Sequence, residues 1–116
     1  MAWVRIDDQF HGHPKVRAAW EAEPAAVGLE VVALSHAAAY LTDGYVDEIF
    51  VRSWFRSSGR RRRAVNALVD TGLWIPNGSG WQIHDYLEYN DSRERVLEKR
   101  RIDAARKRGR ELRIGR

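Results

Sequence analysis

The stretch SSGRRRRAVNALVDTGLWIPNGSGWQIH, residues 57–84, runs from a predicted helix directly into a predicted β-hairpin. Between residues 60 and 71 the apolar side chains recur at helical spacing, and Gly72 ends the pattern. Two runs of aromatic and branched residues, 73–76 and 81–84, then flank a loop of turn formers at 77–80. A hairpin directly behind a helix is typical of a winged helix-turn-helix domain, in which the hairpin forms the wing.

The first 41 residues predict two helices. A lead-in at 3–10 is extended or a short strand, and the Gly and Pro of residues 11–14 predict a turn. A short helix is expected over 15–23. Residues 25–41 carry apolar side chains on two faces, which predicts a helix that is buried on most of its circumference.

A helix-turn-helix pair is expected next. Residues 45–46 predict a single bridging strand, and Asp47 is expected to cap a helix that runs to about residue 55. The expected buried stripe of this helix is Ile49, Phe50, Val51, Trp54 and Phe55. Residues 56–59 predict a tight turn before the helix at 60–71.

This order of elements predicts a mainly α fold with a small β-hairpin. We expect a winged helix-turn-helix DNA-binding domain over residues 1–90 and a basic C-terminal helix and tail over residues 91–116.

The composition limits the class of protein. A chain of 116 residues forms one domain, with room for a tail. The absence of cysteine excludes disulfides and thiolate metal sites. No run approaches the ~18 apolar residues of a membrane helix, and residues 1–10 carry acids where a secretory signal is apolar. The sequence therefore predicts a cytoplasmic protein without a membrane partner.

No catalytic or metal-binding constellation stands out in the sequence. It has no nucleophile–base–acid set and no glycine-rich phosphate loop behind a strand, so we expect neither enzymatic activity nor a cofactor. His11 and His13 form a His-x-His pattern, but no strong third ligand is spaced near them. No metal site is therefore expected.

Positive charge is concentrated in two blocks. Residues 51–66 carry six arginines and no acid, and residues 91–116 carry eleven basic residues against five acidic ones. Residues 1–50 have a net charge of −5 and residues 67–90 a net charge of −3, so the total of +4 hides a strong segregation. Such polarity favours a polyanion on one side of the molecule. A genomic bias towards arginine is the alternative explanation.

The four arginines at 60–63 are not equivalent on their helix. At about 100° per residue, the buried side expected from Val65, Leu68 and Val69 leaves one group pointing away from the core: Arg60, Arg63, Ala67 and Asp70, with Asn66 on the flank. In helix-turn-helix docking, the N-terminal residues of the second helix approach base edges in the major groove. We therefore predict base readout by Arg60, Arg63 and Asn66.

Backbone phosphates are the expected target of the other arginines. Arg61 and Arg62 lean toward the core side, but they lie in the first helical turn, where a helix can extend beyond the body. The predicted phosphate contacts are Arg52, Arg56, Ser57, Ser58, Arg61 and Arg62. The alternative is a solvated face that contacts no DNA.

Two further segments offer weaker contacts. The hairpin loop could lay Asn77 and Ser79 along a groove or phosphate ridge, although a simple surface hairpin explains it equally well. Asp91 or Ser92 is expected to cap a last helix that runs to about residue 108. The expected phosphate contacts of this helix are Arg100, Arg101, Arg106, Lys107 and Arg108. A solvated helix, or self-association into a homodimer, is the alternative.

Five phrases of the sequence together resemble a known family: WVRIDDQFHGHPKV (3–16), DGYVDE (43–48), LVDTGLW (68–74), WQIHDYLEYN (81–90) and SRERVLEKR (92–100). They are similar to the N-terminal winged-helix domain of phage replication-initiation, or replisome-organiser, proteins of actinobacterial hosts. The resemblance spans roughly residues 3–108. It implies sequence-specific binding of double-stranded DNA, at an origin in the replication relatives, without enzymatic activity.

The resemblance and the charge pattern lead to one hypothesis and three alternatives. The leading hypothesis is a phage or prophage DNA-binding protein that acts in DNA replication in the bacterial cytoplasm, associated with the nucleoid when bound. Within the same fold, a transcriptional regulator or an excision-type architectural factor remains open. A winged-helix module that binds a host or replisome protein through the acidic residues 1–50 is the alternative of another class.

Overall fold

The structure is a computed structural model that describes residues 3–114. The first and last two residues of the expected domain bounds, 1–2 and 115–116, lie outside the described part. The chain is mainly helical and has a small antiparallel sheet. A short 3-10 helix at Phe10–Gly12 precedes the first α-helix. The other elements in chain order are α1 (Pro14–Ala22), α2 (Pro24–Tyr40), β1 (Tyr45–Val46), α3 (Glu48–Ser53), α4 (Ser58–Asp70), β2 (Trp74–Asn77), β3 (Gly80–Ile83), α5 (Tyr86–Tyr89) and α6 (Arg93–Ile114).

Helix α2 lies at the centre of the core, as its two apolar faces predict. Leu29, Ala33 and Ala37 are buried along its length. The side chains that pack around them come from the neighbouring helices and the sheet and include Ala19, Val51, Ala64, Leu68, Trp74 and Ile83. Many of these side chains are alanine, so the helix axes can approach closely.

The sheet has the strand order β1-β3-β2 and is antiparallel throughout. β2 and β3 form the expected hairpin, with Trp74 opposite Ile83 and Asn77 opposite Gly80. Gly80 is required because a Cβ there would lie 2.3 Å from the Val46 carbonyl oxygen. The single bridging strand expected at residues 45–46 is β1, which pairs with β3.

The hairpin is tighter than expected. The strands include Asn77 and Gly80, so only Gly78 and Ser79 remain as the loop, where a four-residue loop at 77–80 was expected. Gly78 has a φ of 60°, which suits the first central position of a two-residue hairpin turn.

The expected buried stripe of α3 is wrong at two positions. Ile49 is 80% exposed and Trp54 is 56% exposed, whereas Val51 is buried and Phe50 and Phe55 are half-buried. The helix has only six residues, less than two turns, so one narrow face meets the core. Trp54 is the C-cap of α3 and lies beyond that face.

Several boundaries also differ from those expected. The lead-in at residues 3–10, expected to be extended or a short strand, contains no strand. Helix α4 begins at Ser58, so Ser58 and Gly59 are helical rather than part of a turn. Residues 86–89, for which no element was predicted, form the short helix α5. The last helix continues past residue 108 to Ile114.

Helix α6 projects from the domain. Its 22 residues make it about 33 Å long at 1.5 Å per residue, and the longest dimension of the described chain is 63 Å. Residues 97–108 are all exposed. The N-terminal end of α6 is held by Asp43, whose carboxylate accepts a hydrogen bond from the Arg93 N–H at 2.6 Å.

Candidate nucleic-acid interface

Helix α4 carries four arginines in its first turns. Ser57 is the N-cap, and its hydroxyl oxygen accepts a hydrogen bond from the Arg60 N–H at 3.2 Å. The first turn contains no acidic residue, although the N-terminal end of a helix favours negative charge. Each exposed arginine there is unfavourable by roughly 0.3–1 kcal/mol. A bound anion would reverse the sign of this contribution.

The buried side of α4 differs from the expected one. Ala64, Val65, Ala67 and Leu68 are buried. The expected buried side was centred on Val65, Leu68 and Val69. Because Ala64 and Ala67 are buried as well, the centre of the buried side is rotated around the helix axis by about 70°, at 100° per residue. Ala67 was expected to project into solvent, but it is buried. Alanine is small and fits on either side of an amphipathic helix, so the sequence pattern did not reveal this rotation of the buried side.

The turned helix presents a different outward face. Arg62, Arg63 and Asn66 are exposed, and at about 100° per residue Asn66 lies between the two arginines. Arg62, which was expected to lean toward the core, thus joins the outward face. Asp70 lies on the same face, one turn beyond Asn66.

Arg60 lies on the flank of α4 rather than on this outward face. Its Nε is 3.9 Å from a carboxylate oxygen of Glu23, at the start of α2, and its side chain remains 64% exposed. Arg61 is half-buried on the core side, where it was expected. The structure therefore places Arg63 and Asn66 together and separates Arg60 from them.

The arginines before α4 have different partners. Arg52 forms an ion pair with Glu48 one turn earlier on α3, at 2.5 Å, which offsets its charge. Arg56 is exposed in the turn beside Ser57 and forms no ion pair within residues 3–114. Ser58 is exposed in the first turn of α4.

The tip of the hairpin and the last helix are both exposed. Asn77 and Ser79 lie at the tip with their side chains open to solvent. On α6, the expected contacts Arg100, Arg106, Lys107 and Arg108 are exposed, whereas Arg101 forms an ion pair with Glu98. Near the base of α6, Lys99 hydrogen-bonds to Asp91 at 2.8 Å and holds the pKa of that carboxyl below its ordinary value.

A buried acid, Glu30, lies behind the interface and was not expected. It is 3% exposed and is the only acidic residue of α2. Burial raises the pKa of Glu30 to about 7, and the nearby Trp74 indole lowers it by a smaller amount. Within residues 3–114, neither Glu30 Oε2 nor Trp74 Nε1 makes a hydrogen bond of good geometry, so desolvation decides the shift. A single acid in an apolar helix is the signal that marks it.

The histidines have local contacts. His13 Nδ1 accepts a hydrogen bond from the Lys15 N–H and so caps α1. His36 stacks against Tyr40 and Phe50, with ring centroids 4.7 and 4.2 Å away. In the part of the chain that the structure describes, no three acidic or histidine side chains are grouped as a metal site would require.

Comparisons with known proteins assign no family. No model of a protein family, no curated protein and no solved structure matches this chain. Across residues 3–114, none of the helices combines the length and the apolar character that crossing a bilayer requires.

Proposed function

We propose that this protein is a winged helix-turn-helix protein that binds double-stranded DNA with α4 in the major groove. The observation that carries the proposal is the outward face of α4, where Asn66 lies between Arg62 and Arg63. Neither arginine forms an ion pair within residues 3–114, so both guanidinium groups are free to meet a polyanion. The order α3, four-residue turn, α4, hairpin supports the fold assignment.

The side chains of this face match the chemistry of base edges. Arginine can donate two hydrogen bonds to guanine O6 and N7, and asparagine can exchange two with adenine N6 and N7. Arg62, Arg63 and Asn66 are therefore the proposed base-reading residues. The helix is rigidly placed because its opposite side is buried in the core at Ala64 and Leu68.

Phosphate contacts are assigned to the residues around this face. Arg56, Arg60 and Arg61 flank the start of α4, where backbone N–H groups and the helix dipole also favour an anion. Arg52 is a weaker candidate because Glu48 already offsets its charge. Asn77 and Ser79 on the hairpin extend the proposed contact surface, as do the exposed basic residues of α6.

The first experiment is a gel shift with random duplex DNA across a salt series. DNA binding predicts retarded complexes that weaken steeply with salt, because each phosphate contact releases counterions. A protein-interaction module without DNA affinity predicts unchanged mobility at every salt concentration.

The biological process requires a second experiment. The resemblance to phage replication initiators favours origin binding, and a transcriptional regulator is the nearest alternative. Selection of bound fragments from the source genome separates the two. Fragments that cluster at a replication origin support initiation, and fragments that cluster at promoters support regulation.

A further inference from the structure

An open apolar groove lies between the first half of α2 and the end of α3. It has a volume of about 510 Å³. Its floor is formed by four residues of α2: Ala25, Gly28, Leu29 and Val32. Trp54 and Phe55 form one wall, and Arg56 and Arg60 lie at the rim. The groove lies beside the proposed base-reading face of α4 and does not include it.

Gly28 is unexplained by the packing of the protein. It lies inside the 17-residue helix α2, where glycine costs roughly 0.5–1 kcal/mol relative to alanine. A Cβ at this position would meet nothing within 4 Å, and no positive φ requires a glycine. Packing and backbone geometry therefore do not select glycine here. Its effect is to keep the floor of the groove open.

Trp54 is only partly covered by the fold, where its ring meets that of Phe50 edge to face with the centroids 6.3 Å apart. The side chain is 56% exposed, and an indole gains much of its stabilising energy only when it is covered. It stands beside the opening above Gly28, so an apolar group in the groove would contact both residues. Large exposed aromatic surface next to an apolar depression is typical of an interaction site.

The rim of the groove is positively charged. Arg56 forms no ion pair within residues 3–114, and Arg60 has only the 3.9 Å contact with Glu23. The rim therefore favours carboxylates on the molecule that enters.

We propose that this groove binds an acidic segment of a partner protein. An apolar side chain of the segment lies over Gly28 and against Trp54, and neighbouring carboxylates pair with Arg56 and Arg60. Single-stranded nucleic acid could also stack a base on Trp54, but the α2 residues of the groove are glycine or aliphatic, and apart from Trp54 itself its hydrogen-bonding side chains are limited to Ser57, Arg56 and Arg60. Arg56 and Arg60 are also proposed phosphate contacts, so an acidic segment and DNA would compete for these two arginines, whereas Gly28 and Trp54 belong to the groove alone.

The test selects peptides from a random displayed library on the full-length protein and counter-selects on Gly28→Leu. The leucine side chain is intended to occupy the groove. Because it replaces a helix glycine at which a Cβ would meet nothing within 4 Å, we expect the variant to melt at or above the wild-type temperature. Ala39→Leu, on an exposed position of the same helix, is the matched control.

The expected result is a set of peptides that carry Asp or Glu next to a large apolar residue. They should bind wild type and Ala39→Leu equally and bind Gly28→Leu roughly tenfold or more weakly, as expected when an apolar contact is lost. Trp54→Ala should weaken the same peptides, and Arg56→Gln with Arg60→Gln should weaken them in a salt-dependent way.

Three results would overturn the proposal. The first is a library that yields no peptide able to distinguish wild type from Gly28→Leu. The second is selected peptides that are basic or uncharged. The third is binding of oligothymidylate that Gly28→Leu abolishes while peptide binding is unchanged, because the groove would then be a nucleic-acid site.

Discussion

The α4 region and α6 both carry a large excess of arginine, but different surroundings support the two helices. The outward arginines of α4 stand on a helix whose other side is buried at Ala64, Val65 and Leu68. The arginines of α6 stand on a helix that is exposed throughout residues 97–108. A helix that is packed against the core on one side holds its outward side chains in a fixed position relative to the domain. A helix that is exposed on all sides does not.

This difference assigns different roles to similar charge. Reading a base edge needs donors held in a defined position, whereas attraction to phosphates needs only charge near the backbone. We therefore expect α4 to provide sequence specificity and α6 to provide a hold that is independent of sequence. The following predictions are ordered by the size of the expected effect.

The largest contrast is expected between two leucine truncations. Leu68→Ala in α4 leaves a cavity at a fully buried position and should lower the free energy of unfolding by about 2–5 kcal/mol. Leu97→Ala in α6 removes a side chain that is 41% exposed and should change it by less than about 0.5 kcal/mol. Urea unfolding of both variants measures the difference. Equal losses would show that α6 belongs to the same cooperative core.

The packed region should also show a pH dependence that comes from a buried acid. Glu30 has a pKa of about 7 in the folded protein, against an ordinary value of 4.5. Between these values the folded state holds a proton that the unfolded state has lost. The free energy of unfolding should therefore fall as the pH rises through this window, by up to about 3 kcal/mol.

Two glutamine variants isolate this contribution in urea titrations at pH 5 and pH 7.5. Glu30→Gln cannot ionise and should lose the decline, whereas Glu111→Gln, an exposed acid on α6, should keep the wild-type slope. A decline of the same size in Glu30→Gln would place its origin in other groups.

Variants at Asn66 and Arg60 should distinguish the outward face of α4 from its flank in DNA binding. Asn66→Ala should cost roughly 1–3 kcal/mol at the selected site and relax the base preference there. Arg60→Ala should weaken cognate and random duplexes by the same factor, because Arg60 lies beside Glu23 and off the outward face. Fluorescence anisotropy with both duplexes tests the pair. A sequence-specific loss for Arg60→Ala would restore the orientation that the hydrophobic pattern alone indicates, in which Arg60 and Asn66 both read bases. A uniform loss for Asn66→Ala would contradict both orientations.

The smallest contrast is expected between two helix caps of the same chemistry. Ser57 and Ser92 each accept a hydrogen bond at 3.2 Å, from the N–H of Arg60 and of Arg95. Ser57→Ala should lower the global free energy of unfolding by about 1 kcal/mol. Ser92→Ala should only increase fraying of α6, which hydrogen exchange detects without a change in the global value. A global loss in Ser92→Ala would contradict the independence of α6.

Much of the fold followed from local patterns in the sequence. The two apolar faces of residues 25–41 predicted the central helix α2, and Asp47 caps α3 as predicted, because its carboxylate accepts a hydrogen bond from the Phe50 N–H. Turn formers between two aromatic runs predicted the hairpin. These features depend on residues that are near one another in the chain, which sequence patterns report directly.

The orientation of the candidate site was harder to predict. Alanine fits both a buried and an exposed position, so the pattern could not show that Ala64 and Ala67 are buried and that Arg62 therefore faces outward. Trp54 looked like a core residue because it is large and apolar, but α3 is too short to bury it. Both outcomes are set by tertiary packing rather than by spacing along the chain.

The central claim is that α4 reads sequence and α6 only holds DNA, and two charge-matched variants test it most directly. Arg62→Gln with Arg63→Gln removes two charges from α4, and Arg106→Gln with Arg108→Gln removes two exposed charges from α6. The measurement is the ratio of cognate to random duplex affinity at one salt concentration. The α4 pair should lower this ratio by roughly tenfold or more, and the α6 pair should leave it unchanged while lowering both affinities. An unchanged ratio in the α4 pair would contradict the claim.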